Sequence, residues 1–417
     1  MIAAAPLAAQ TLTAAGLVCG ARALGELFDR LRQPRVIGEI CAGILLGPSL
    51  LGRWAPTSLL APADGGRGTY AGEIAWLYDA GLVLLMMASG AQCKRLFRAD
   101  AGREVGWLVV LGSGLPFAVA LVLAPLLPLR AIAAQPYHPA SVLIVLGIAA
   151  AVTSIPVIVR IFHDLDILQT RFARLVLEVA IVDDVVLWGL LAVATDLAAG
   201  HASPRGVESH MMASASCVAL ALTALPALVR RATGGDAYRR RPRACGGLAV
   251  AAAFAFVAAA AGAGVNLALA AFLAGSALGS AADDGRSVAA FSRVAFRTLV
   301  PLYFALVGYA IDFSQSFSLA MCAAVVVGAS LVKVMSTWAG AAMAGFTGRD
   351  SLNLSIALNA RGGPGIVVAS VSYEAGIISD TFFTALIVLA LVTSQLAGAW
   401  LAYVLRRGLP LLGPAHD

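Results

Sequence analysis

Asp183 and Asp184 are adjacent carboxylates in the middle of the apolar run 176–194. An acidic side chain at the centre of a membrane helix costs about 2.5 to 3.5 kcal/mol, so an uncompensated pair costs on the order of 5 to 7 kcal/mol. Residues held at that cost mark paths for ions or protons. Lys333, one of two lysines in the chain, stands within the apolar run 325–339. It lies about a dozen residues from the nearest polar ends, which favours a buried counter-charge over a snorkelling side chain. Its natural partners are the two aspartates. Consecutive helical residues project about 100° apart, so one carboxylate can turn to Lys333 while the other faces a cavity.

Electrostatics makes the pair a candidate proton carrier. Two carboxylates roughly 6 Å apart at an effective dielectric of about 20 repel by ~2.8 kcal/mol, which favours a pair holding one proton. A hard monovalent cation such as Na⁺ or K⁺ wants oxygen ligands. The carboxylates, the hydroxyls of Thr153 and Ser154 and carbonyls freed by a broken helix would supply them. Cation and proton then compete for the same oxygens, and competition at a site of alternating access is enough for exchange.

Freed carbonyls are expected because two spans are interrupted at corresponding places. One carries Thr153-Ser154-Ile155-Pro156 and the other Asn359-Ala360-Arg361-Gly362-Gly363-Pro364-Gly365. Proline lacks the backbone donor and clashes with the preceding turn, while glycine tolerates unwound geometry, so each span should open near mid-membrane. Half-helix dipoles then point into the gap. Arg361, buried by its position, needs a partner, and Glu178, five residues before Asp183, is the candidate for a structural ion pair.

These residues require a membrane scaffold. With 60% hydrophobic and 12% charged residues and a mean hydropathy of +0.87, the chain is an all-α polytopic membrane protein. Splitting it at its polar clusters gives thirteen spans, near 4–27, 34–52, 73–91, 105–127, 139–162, 173–197, 210–230, 246–262, 264–281, 288–311, 317–345, 350–373 and 380–404. No soluble regulatory domain is expected, and the N-terminus reads as the outer end of the first span rather than a cleaved signal. Of 29 lysines and arginines, 22 fall in one alternating set of loops, among them Arg30, Arg103, Arg171, Arg230, Arg349 and Arg406. Positive loops stay cytoplasmic, which puts the N-terminus outside and the C-terminus inside a cell inner (plasma) membrane. The net charge of +6 therefore reports topology and not nucleic-acid binding.

Ala42-Gly43-Ile44-Leu45-Leu46-Gly47 in the second span is echoed by Ala274-Gly275-Ser276-Ala277-Leu278-Gly279 in the ninth. The two spans run in opposite directions by the charge pattern. Residues 1–198 and 246–406 are thus expected to be two inverted repeats joined by a linker helix at 210–230, with the two interrupted spans fifth in each half. Cys19, Cys41, Cys93, Cys217, Cys245 and Cys322 lack metal or disulfide spacing, and no cofactor is expected. His163 is read as a solvated loop histidine and Glu39 as an interface residue.

Other classes fit less well. An intramembrane aspartyl protease needs aspartates on different facing helices, and Asp312 lacks the required context, so no enzyme is expected. A channel would need filter rings repeated by symmetry. A proton- or sodium-coupled transporter of an organic metabolite on the same fold remains the alternative.

Gln33-Pro34-Arg35-Val36-Ile37-Gly38-Glu39, Gly43 to Pro48, the Thr153–Pro156 break, Val182-Asp183-Asp184-Val185, and Pro301-Leu302-Tyr303-Phe304 with Gly308 and Asp312 together resemble the monovalent cation:proton antiporter-2 family. The likeness is to its two-aspartate members, bacterial sodium/proton exchangers, and runs over nearly the whole chain. The resemblance implies a sodium/proton antiporter fold with crossed discontinuous helices and a homodimer in the lipid bilayer. It also implies an ion site at Asp184, Asp183 paired to Lys333, and electrogenic exchange of more than one proton per Na⁺ or K⁺. Many relatives carry an acidic residue shortly after the Arg-Gly of the second break, where this chain has Gly363-Pro364-Gly365.

Overall fold

The computed structural model describes residues 4–30, 35–47, 50, 72–96, 102–199, 204–233, 242–281, 291, 293–295, 297, 299–311 and 316–413. Within its helices some side chains, Pro156 and His163 among them, lie outside the description. Gln33, Pro34, Pro48, Asp312 and the loop arginines Arg53, Arg67 and Arg286 also fall outside it.

The described elements are helices apart from one isolated β-bridge, Ala133 to Ile378. They follow the expected spans. The first three form α1 (Ala4–Arg30), α2 (Arg35–Leu46) and α3 (Gly72–Leu96). The fourth is α4, continuous over Gly102–Leu126, and the fifth divides into α5 (Pro139–Ala151) and α6 (Ile155–Asp164). The sixth is α7 (Arg171–Ala199), and the seventh gives α8 (Pro204–Leu222) and α9 (Ala224–Thr233). Then come α10 (Pro242–Gly262), α11 (Leu267–Ala281), α12 (Leu299–Tyr309) and α13 (Leu319–Met343). The twelfth span divides into α14 (Gly348–Leu358) and α15 (Gly362–Glu374), and α16 (Asp380–Arg406) ends the series.

Four described helices are long and apolar enough to cross a membrane, and the bent pair α14 and α15 makes a fifth. The length of α7 suffices, but Glu178, Asp183, Asp184 and Asp196 interrupt its apolar stretch. The charges that mark the candidate site are what hide the helix from a test on hydropathy.

The chain divides into two compact units. One comprises Met1–Gly25, Gly38–Phe97 and Thr195–Ala310; the other comprises Glu26–Ile37, Arg98–Ala194 and Ile311–Asp417. In the first unit glycines bring helix backbones together. A Cβ on Gly43 of α2 or on Gly47 just after it would fall against Ala305 or Tyr309 of α12, and one on Gly275 or Gly279 of α11 would strike the Met87 or Ala91 carbonyl of α3. The reciprocal approaches place Gly308 on the Ile40 carbonyl and Gly90 on the Phe272 carbonyl. The two seams share one register. An offset of 232 residues (275 less 43, 279 less 47) carries α2 onto α11, and 218 (305 less 87, 308 less 90, 309 less 91) carries α3 onto α12. Small residues give such seams their close van der Waals contact where lipid supplies no hydrophobic drive.

The second unit is built around the two divided spans. Val152, Thr153 and Ser154 leave the helix between α5 and α6, and Asn359, Ala360 and Arg361 leave it between α14 and α15, with a bend of 41°. Each downstream half starts with a proline in its first turn, Pro156 or Pro364, where a missing N–H is tolerated. At the far end of the unit, Ser379 caps α16 by accepting from the Phe382 N–H, and its hydroxyl donates to the Ala131 carbonyl. Backbone bonds from Ser379 to Ile132 and from Ala134 to Ile377 complete the bridge that ties the entry of α5 to the exit of α15.

Candidate functional site

The two breaks meet, and their meeting is a hydrogen-bonding consequence of the prolines. In an unbroken helix the Ala360 carbonyl would accept from residue 364, but Pro364 has no N–H to give. The freed carbonyl accepts from the Ser154 N–H at 2.8 Å. The Leu358 carbonyl lies 2.8 Å from the Thr153 hydroxyl. Gly362 packs directly on the other break, where a Cβ would collide with Val157 and lie 2.9 Å from Ser154 Oγ. Its own N–H donates to Ser394 Oγ of α16. Gly362→Ala is therefore expected to destabilise the unit by about 1 to 3 kcal/mol through overpacking. Gly365→Ala, whose Cβ lands 3.4 Å from the Arg361 Cβ, should be tolerated. Thermal unfolding of the two variants in detergent compares them; equal midpoints would contradict the close crossing.

Asp183 reaches this crossing from α7, and Asp184 follows it on the same helix. Asp183 and Asp184 are buried, Asp184 completely. Asp183 is the one turned to Lys333, with Oδ2 at 3.6 Å from Nζ, and the same oxygen lies 2.9 Å from the Thr153 hydroxyl. The Thr153 proton serves either Asp183 or the Leu358 carbonyl at one time. Asp184 differs, because both its carboxylate oxygens are buried without a hydrogen-bond partner among the described residues. Asp183 Oδ1 and Ser154 Oγ share that condition. Buried oxygens are nearly always satisfied, so four of them on adjacent residues of α7 and on the first break call for an explanation.

The positive charges converge on one helix end. Where α5 stops, its last carbonyls lose their helical donors. Lys333 donates to the Ala151 carbonyl at 2.6 Å, and Arg361 donates to the carbonyls of Ala149 and, at 3.0 Å, Ala150. Arg361 also donates to the Ala329 carbonyl and to Asn359 Oδ1. The expected Glu178–Arg361 ion pair is thus replaced. No ion pair joins these two residues among the described ones, because the opened helix presents a closer set of carbonyl acceptors carrying the negative end of its dipole. This also accounts for an arginine with no acidic neighbour at Gly363-Pro364-Gly365.

Sequence reasoning did not find Ser113. Its hydroxyl accepts from Lys333 Nζ at 2.9 Å, and it sits in a π-helical turn, Val110–Gly114, inside α4. The signal was present in Gly112-Ser113-Gly114-Leu115-Pro116: Pro116 cannot donate to the Gly112 carbonyl, and the Leu115 N–H reaches back to Val110 instead. Ser394 was missed too, being a small hydroxyl in an ordinary apolar helix.

Residues 16–407 match the family described as sodium/hydrogen exchanger, transmembrane. Among curated relatives, Cation/H(+) antiporter 20 of Arabidopsis thaliana is 28% identical over 91% of this chain, and the chain spans 46% of that protein's length. Na(+)/H(+)-K(+) antiporter GerN of Bacillus cereus is 24% identical, with 91% of this chain and 92% of the relative covered. The sodium proton antiporter MjNhaP1 from Methanocaldococcus jannaschii has the same fold, with a TM-score of 0.63 at 16% identity, covering 99% of this chain and 100% of that one. The chain belongs to the transmembrane sodium/hydrogen exchanger family.

Proposed function

We propose that the chain is a secondary active antiporter exchanging protons for a monovalent cation, with Na⁺ favoured and K⁺ or Li⁺ as the other candidates. One observation carries the reading: the fully buried Asp184, both oxygens without a partner among the described residues, next in the chain to Asp183, whose carboxylate meets Thr153 of the first helix break. Asp184, Asp183, Thr153 and Ser154 supply the oxygens, and Lys333 is the counter-charge. With both aspartates ionised, the charges of Asp183, Asp184, Lys333 and Arg361 cancel. A proton or a monovalent cation on Asp184 then raises the total by the same single charge, so the two are electrostatically interchangeable. That is the basis of competition.

In the proposed cycle the site faces the cytoplasm, releases its proton, takes the cation, opens to the outside, loses the cation and reloads a proton. An inward proton gradient then drives cation extrusion. Release of a second proton, from Asp183 or Lys333, would make the cycle electrogenic. The matched glycine seams support two inverted repeats, 1–198 and 246–406, joined by the 210–230 linker. Loop charges support a cytoplasmic C-terminus in the inner membrane, and the family likeness carries the homodimer. The test is current on a solid-supported membrane after a sodium jump. Electrogenic antiport predicts a transient whose sign follows net charge movement; exchange measured in parallel without current would leave an electroneutral cycle.

A further inference from the structure

The ammonium of Lys333 is held more closely by neutral groups than by its carboxylate. It has three N–H donors and faces three acceptors: the Ala151 carbonyl at 2.6 Å, Ser113 Oγ at 2.9 Å and Asp183 Oδ2 at 3.6 Å. A charge-assisted contact formed for its own sake closes to about 2.7 to 2.9 Å, so the third distance is that of an ammonium fixed by its other two partners. The Ala151 carbonyl belongs to the end of α5, and Ser113 belongs to the π-turn of α4. One face of α13 holds the two helices together. Lys333 meets Ser113, Thr337 one turn on lies against Gly112, and Gly340 closes on Trp107 and Leu111.

We propose that Ser113 is a positioning residue for the exchange, which rests on the antiport reading above. Its hydroxyl anchors Lys333 at a distance from Asp183 that leaves the carboxylate open to an incoming cation. Without the hydroxyl, one N–H of Lys333 is left to turn to Asp183 and close the gap. A nearer ammonium shields the carboxylate from the cation, and more cation is needed. The charged groups facing Lys333 are Asp183 from α7 and Arg361 from the second break, with Asp184 adjoining Asp183; none of these is altered by the substitution.

The experiment compares wild type, Ser113→Ala and Ser113→Thr in proteoliposomes, recording sodium/proton exchange across pH and sodium concentration. Ser113→Ala is expected to raise the apparent KM for sodium several-fold, with the maximal rate less affected. Ser113→Thr, which keeps the hydroxyl, should hold the KM near wild type. If Ser113→Ala does not fold, Ser113→Cys keeps the volume with a weak acceptor and should show the same rise. Folded Ser113→Ala or Ser113→Cys with the wild-type KM would overturn this role and leave the antiport reading intact. So would Ser113→Thr matching Ser113→Ala. Wild type exchanging no alkali cation would overturn both.

Discussion

Replacing Asp184 with Asn is expected to reduce cation/proton exchange to the level of empty liposomes while leaving a folded protein. The reason lies in what the carboxylate touches. Its two oxygens bond to nothing among the described residues, so the amide removes no described contact, and its volume is the same. What disappears is the charge that, in the proposed cycle, binds either a proton or a cation. Sodium should then no longer raise the thermal midpoint of the protein, since a ligand stabilises only the state that binds it. Both readouts are needed: lost exchange with intact sodium stabilisation would place the cation elsewhere, and lost folding would make Asp184 a structural residue. Asp183→Asn should be less complete, because Asp183 is also bonded to Thr153 and paired with Lys333.

Replacing Lys333 with Ala is expected to produce the largest loss of stability in the second unit. Removing one partner of a buried ion pair costs about 3 to 5 kcal/mol, because the other charge is left in a poorly solvating interior. Here the loss extends further. The Ala151 carbonyl, Ser113 and Asp183 all lose a donor, and among the described residues the end of α5 keeps Arg361 against its dipole. Lys333→Gln retains donors for the Ala151 carbonyl and Ser113 but no charge, so its melting temperature should fall between those of wild type and Lys333→Ala. Unfolding followed by tryptophan fluorescence in detergent gives the order. A Lys333→Ala protein as stable as wild type would contradict the convergence of contacts on this ammonium.

Much of this arrangement was legible in the sequence, for identifiable reasons. Aspartates and a lysine in apolar runs stand out because each is costly there, and proline and glycine act on the backbone locally. The breaks at Thr153–Pro156 and Asn359–Gly365 could therefore be placed to within a residue or two. The echo of Ala42–Gly47 in Ala274–Gly279 was legible as an internal repeat. Its partners on α3 and α12 were not, since which backbone carbonyl a glycine meets depends on the register of two helices. The Arg361 partner was misread for a related reason. Charge suggests a carboxylate, but opening α5 creates main-chain acceptors that a linear pattern does not display. Ser113 stayed hidden because a π-turn moves one hydroxyl toward a residue 220 positions away. In the proposed site, cation selectivity would rest on distances among the oxygens of Asp183, Asp184, Thr153 and Ser154 at a scale finer than any spacing rule.

The most direct measurement of the central claim is proton flux through reconstituted protein. Proteoliposomes carrying a trapped pH-sensitive dye are given Na⁺, Li⁺, K⁺ or choline under an imposed proton gradient, with wild type beside Asp184→Asn. The predicted result is cation-dependent dequenching with at least one alkali ion, strongest with Na⁺, none with choline, and none in the variant. Folded wild-type protein silent to every alkali cation from about pH 6 to 9, a range bracketing the usual physiological titrations, would contradict the antiporter account and turn the search to an organic substrate.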